Sequence, residues 1–157
     1  MIVLSNSDTL TLAPGDSVTF DLTVLHTGCA ECHRQGSPAI KLKNRGVYEL
    51  MFHGNIGATA VGTASLRMQA GGEDLPDTTM IATVDTVGAL YNVSAATLLK
   101  NCCGDYDRIT VTNIGTTSVV IAPNSSFIAK RVAERRCRNE TERVRRHEKR
   151  RRLRRNW

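Results

Sequence analysis

Ser17-Val18-Thr19-Phe20-Asp21-Leu22-Thr23-Val24 places apolar Val18, Phe20, Leu22 and Val24 at every second position, with polar residues between them. A period of two marks a β-strand with one buried face, because successive side chains leave a pleated backbone on opposite sides. Upstream, Leu10-Thr11-Leu12 runs into Ala13-Pro14-Gly15-Asp16, where Pro and Gly signal a turn. Downstream, a small polar stretch from His26 to Pro38 precedes a short strand, Ala39-Ile40-Lys41-Leu42-Lys43. Asn44-Arg45-Gly46 then turns into Val47-Tyr48-Glu49-Leu50-Met51-Phe52. Ala64, Leu66 and Met68 alternate within the Ala58 to Gln69 stretch, and Gly71-Gly72-Glu73-Asp74 is a turn. Thr79 to Val84, Ala95 to Leu99, Arg108 to Thr112 and Ser118 to Ile121 are four further strands, and Phe127-Ile128-Ala129 closes the series.

Short strands at this spacing, with no amphipathic helical stretch between them, point to an all-β antiparallel sandwich or jelly roll and exclude a parallel α/β fold. The 157 residues suit one domain, and with 41% hydrophobic but 4% aromatic residues the core must rest largely on Val, Ile, Leu and Ala. Met1 to Asn6 has neither a basic region nor a long apolar run, so neither a signal peptide nor a membrane span is expected.

Charge divides the chain. Residues 1–129 carry seven Lys/Arg against eleven Asp/Glu, a net −4, whereas residues 130–157 carry fourteen against four, a net +10. The chain therefore reads as a β domain, 1–129, followed by an arginine-rich tail, 130–157. The tail has good helix formers, no Gly and no Pro, with Glu134 to Arg138 and Glu142 to Arg146 as i,i+4 pairs, so a helix is expected. Its cations Arg135, Arg136, Arg138, Arg143, Arg145, Arg146, Lys149, Arg150, Arg151, Arg152, Arg154 and Arg155 would fall on all faces of that helix. Such a distribution suits docking on an acidic capsid surface, or non-specific nucleic-acid binding, better than readout of base edges. A solvated extension is the third reading.

Gly46-Val47-Tyr48-Glu49-Leu50, the small-residue run Gly54 to Ala64 and the strand with Leu66 and Met68 together resemble the trimeric jelly rolls. These are the tumour-necrosis-factor and complement-type globular heads and their bacterial and phage relatives, including the heads of collagen-like spore-coat glycoproteins. The turn Gly72-Glu73-Asp74-Leu75-Pro76, the strand Asp107 to Asn113 and the closing Ser126-Phe127-Ile128-Ala129-Lys130-Arg131 extend the resemblance over roughly residues 15–131. It implies a homotrimer with inner sheets around a threefold axis and no catalytic residues. Similar small proteins without a collagen stalk look like phage virion components, such as head decoration proteins. With the basic tail following the domain, attachment through the base and tail is implied. A receptor- or glycan-binding module of the same fold, and a nucleic-acid-binding protein acting through the tail, are the alternatives. Bulk is scarce in the Gly54 to Ala64 run, which suits close backbone approach; a flexible surface loop is the other reading of it.

Cys29-Ala30-Glu31-Cys32-His33 matches the C-x-x-C-H haem pattern, but haem attachment needs export and helical surroundings that the sequence lacks. Zinc fits the spacing better: Cys29 and Cys32 form half a tetrahedral site, which His33 and Cys102 would complete. A disulfide from Cys29 or Cys32 to the Cys102-Cys103 pair, or plain reduced thiols, are the alternatives, and no cofactor is otherwise expected. Neighbours in a chain rarely face each other, so Cys32 beside His33 does not make a thiol nucleophile. His53 reads as a satisfied sheet histidine, and Asp105 and Asp107 as solvated turn carboxylates.

Overall fold

The computed structural model describes residues 1–101 and 108–134, which form two antiparallel sheets packed face to face. The larger runs in the order β2 (Leu10–Leu12), β12 (Val119–Ile121), β6 (Gly46–Ala58), β13 (Ser126–Glu134), β1 (Ile2–Ser5) and β3 (Leu22–His26), with β10 (Tyr91–Asn101) on the other edge of β6. The smaller runs β4 (Glu31–His33), β5 (Ile40–Leu42), β11 (Ile109–Asn113), β7 (Gly62–Ala70) and β8 (Glu73–Asp74), with β9 (Met80–Val84) also on β7. A single 3-10 turn, Pro76–Thr78, interrupts the strands among the described residues. The expectation of an all-β jelly roll holds.

The core forms where the alternating apolar positions of both sheets meet. On β6, Tyr48, Leu50, Phe52 and Ile56 are buried, and on β7 Ala64, Leu66, Met68 and Ala70 are buried at the same period of two. Phe20 and Phe127 cross the layer with ring centroids 6.0 Å apart. Each such large side chain contributes about 1.5–3 kcal/mol by leaving water.

Two expectations need correction. The strand expected over Ser17–Val24 is two segments, with different fates. Val18 and Phe20 enter the core beside β11, where the Val18 amide donates to the Val111 carbonyl at 2.8 Å. The chain then leaves the smaller sheet, and β3 begins at Leu22 on the edge of the larger one. Leu22 and Val24 are 43% and 66% exposed, not buried. The alternation was real up to Asp21; what the period could not show is that the segment changes sheets. Second, the closing strand β13 continues to Glu134, so residues 130–134 are strand, not the start of a helix. Pairing with β6 as far as Glu134 opposite Gly46 overrides their helical propensity. The rest of the expected helix, 135–157, lies outside the described residues. His53 stands on β6, on the face opposite Tyr48 and Phe52 as its alternation with them implies, and is exposed.

Gly54 and Gly57 support the close-approach reading of the small-residue run. A Cβ on Gly57 would stand 2.5 Å from the Ala89 carbonyl oxygen, and one on Gly54 would stand 2.7 Å from the Ser125 Cβ. Only the turn at 59–61 behaves as the surface loop of the other reading.

Candidate functional site

The zinc set predicted from sequence is spread over different surroundings. Cys29 is exposed in the loop before β4, and Cys32 is half-buried on that strand. Alternation sends Cys32 to one face of β4 and Glu31 and His33 to the other. The His33 ring stands edge-on to Phe20 at 6.3 Å, and its Nε2–H donates to the Ser37 carbonyl at 2.9 Å, leaving Nδ1 buried without a partner. Cys102 lies outside the described residues, as do Cys103, Asp105, Asp107 and the tail cations Arg135 to Arg155. Among the described residues no three His, Cys, Asp or Glu side chains converge on a point where a metal ion would sit.

The outward face of the larger sheet was not anticipated. Pairing places Ala96 of β10 opposite Met51 of β6, Met51 opposite Ile128 of β13, Ile128 opposite Val3 of β1, and Val3 opposite Leu25 of β3. These five residues point away from the core and remain half-buried or exposed, Leu25 by 41%. They form an apolar row across five adjacent strands, about 20 Å long at the usual strand spacing. A polar row, Ser94, His53 and Ser126, flanks it on one side, and Leu98, Glu49 and Lys130 flank it on the other. An antiparallel sheet with a solvated outer face normally alternates to polar residues there. Here the middle of the face is apolar, and no element among the described residues covers it. The signal was present in the sequence, since Val3, Met51 and Ile128 each sit one step off a buried position. Only the register shows that they line up.

At one end of the sandwich the start of β1, β4 and β13 are tied together by a single carboxylate. Glu31 is buried, and its Oε2 accepts from the α-amino group of Met1 at 2.9 Å while its Oε1 accepts from the Arg131 amide at 3.0 Å. The Tyr48 hydroxyl donates to the Asn44 carbonyl at 2.7 Å nearby, and burial raises its pKa above the usual phenol value, with the Glu31 charge adding to that rise. Arg131 extends over Gly46 to the Arg45 carbonyl and pairs with Glu134 at 3.2 Å. From this end the chain continues into the arginine-rich tail.

At the opposite end, Gly57, Val87, Ala89, Leu90 and Val120 line an open apolar groove of about 440 Å³. No helix among the described residues is long and apolar enough to cross a membrane.

The sandwich of two antiparallel sheets superposes on Eiger TNF from S. frugiperda with a TM-score of 0.68 at 12% identity, over 88% of this chain and 95% of that one. The fold is that of the tumour-necrosis-factor jelly roll. Murine APRIL gives a TM-score of 0.57 at 19% identity, over 82% of this chain and 95% of that one. The PRD1 vertex protein P5 superposes more loosely, at 0.47 and 17% identity over 86% of this chain and 97% of that one. No family model matches the chain, and no curated protein matches its sequence. At these identities the TNF-type jelly roll is a statement of fold, and function must be argued from the surface.

Proposed function

We propose that the chain is a non-enzymatic structural module of a phage particle. It self-associates as a homotrimer through the outward face of its larger sheet and is held to the particle by its base and basic tail. The observation that carries this reading is the apolar row Ala96, Met51, Ile128, Val3 and Leu25. A contiguous apolar band on a sheet face is costly to leave in water and marks a contact surface. Further copies of the same chain are the occupant that the TNF-type fold supports. Membership of a phage particle is supported by the resemblance of Gly46 to Leu50, the Gly54 to Ala64 run and the Ser126 to Arg131 strand to small phage heads.

Sedimentation equilibrium of the full chain tests association. The wild type is expected to sediment as a trimer, and Met51→Asp with Ile128→Asp as a folded monomer, because an unpaired carboxylate buried between copies costs several kcal/mol. A wild-type monomer at every concentration overturns the reading, as does a double variant that still forms trimers. Particle membership is read by cosedimentation with purified virions. Zinc held by Cys29, Cys32, His33 and Cys102 stands as a separate proposal, read by elemental analysis of the purified chain.

A further inference from the structure

Every Lys and Arg that precedes the closing strand lies outside residues 1–33, 46–66, 68–99 and 109–129. The fold gathers the exposed ones at one end, apart from Arg34 in the loop after β4. Lys41 and Lys43 lie on and just after β5, Arg45 in the loop before β6, Lys100 near the end of β10, Arg108 before β11 and Lys130 on β13. None of these six has an ion-pair partner among the described residues. The other end, built from the turn at 59–61, the loop at 85–90 and the loop at 114–118, carries Asp85 and no cation.

Two features of the basic end point to its partner. Ile109 pairs with Ile40, which brings their chain neighbours Arg108 and Lys41 close together where β11 and β5 meet. Like charges on neighbouring strands repel, and a bound anion would relieve that. Around Lys41, Lys43, Arg45 and Arg108 the surface also lacks the apolar centre of a protein interface: of the exposed large hydrophobics, Val132 and Leu98 lie toward this end, and both are on the larger sheet, whereas Lys41 and Arg108 belong with the smaller one. Lysine is depleted from protein interfaces, whereas nucleic-acid interfaces are polar and rich in positive charge.

From this geometry we infer that the basic end of the sandwich is a phosphate-backbone docking surface. It continues the charge of the tail and seats the protein end-on against nucleic acid without reading sequence. This deepens the proposed function, because it rests on the tail side being the attachment end, and it does not depend on trimerisation. In any cyclic trimer the three copies would present this end in the same axial direction, multiplying the contact.

The test uses the full chain and a mixed-sequence DNA duplex, with binding followed by fluorescence anisotropy across a salt series. The quadruple variant Lys41→Gln, Lys43→Gln, Arg45→Gln, Arg108→Gln leaves the tail and the apolar row untouched. Wild type is expected to bind, with log K falling steeply with log salt, and the variant to show a slope shallower by about 2–4, since each lost phosphate contact removes roughly 0.9. Affinity at physiological salt should fall by at least tenfold. An unchanged slope overturns the proposal and assigns binding to the tail alone. Displacement of the duplex by polyglutamate at equal charge overturns it in favour of an acidic protein surface, and so does failure to bind DNA at low salt. Sedimentation of the same samples separates these outcomes from failure of the trimer: loss of DNA binding in an intact trimer counts against this inference only.

Discussion

Glu31 shows how much one side chain can organise. Its carboxylate is the meeting point of the Met1 ammonium and the Arg131 amide, so β1, β4 and β13 converge on it. Replacing it by Gln keeps the shape but removes the charge from both bonds. The expected loss is about 2–3 kcal/mol in urea unfolding, because a buried donor is left poorly matched. An unchanged midpoint would mean that water serves these groups equally well. Tyr48, in the same corner, gives a pH dependence. Its folded-state pKa is raised, so the unfolded chain releases the phenol proton first as pH climbs past about 10. Tyr48 therefore contributes stability that is complete below pH 10 and is lost as pH rises through the folded value. In alkaline unfolding curves, Tyr48→Phe is expected to show a shallower decline than wild type, even though it loses the bond to Asn44. Neither role was legible in the sequence. Glu31 sat inside a Cys-x-x-Cys-His string that drew attention to its neighbours, and its partners are thirty and one hundred residues distant.

At the scale of elements, periodicity located most strands but not the sheet each one joins. The alternation in β7 and the apolar runs of β9 and β11 match the observed burial. β1 and β4 were missed because strands of four and three residues are too short to display a period. The segment around Asp21 is the instructive failure, since its alternation crosses a corner between sheets. That corner makes an asymmetric prediction. Phe20→Ala should cost about 3–5 kcal/mol, as truncation of a core aromatic does, whereas Val24→Thr on the exposed edge strand should stay within about 0.5 kcal/mol. Thermal melts of the two variants check this, and equal losses would mean that β3 is covered in solution. The tail shows the converse limit: composition announced a helix from residue 130, yet β6 had an open edge for Lys130–Glu134, and pairing prevailed.

For the whole molecule, sequence order and spatial order part company. Net charge described a mildly acidic body with a basic tail, and that remains true of the totals. Only the fold shows that the body's own exposed cations, Arg34 apart, stand at the end from which the tail leaves, and that an apolar row crosses five strands of one face. Both candidate surfaces are products of register, which no single stretch of sequence displays.

The placement of β13 between β6 and β1 has a further consequence, for the chain as it is made. The first described strand pairs with the last described one, and the central β6 shares its longest edge on that side with the same late segment. Until Ser126–Glu134 has left the ribosome, both neighbours present bare edges and the two halves of the large sheet cannot join. Closure of the body therefore waits on the closing strand, and only a chain synthesised through β13 has the completed face. A chain that stops short of β13 leaves the outward face of the larger sheet incomplete.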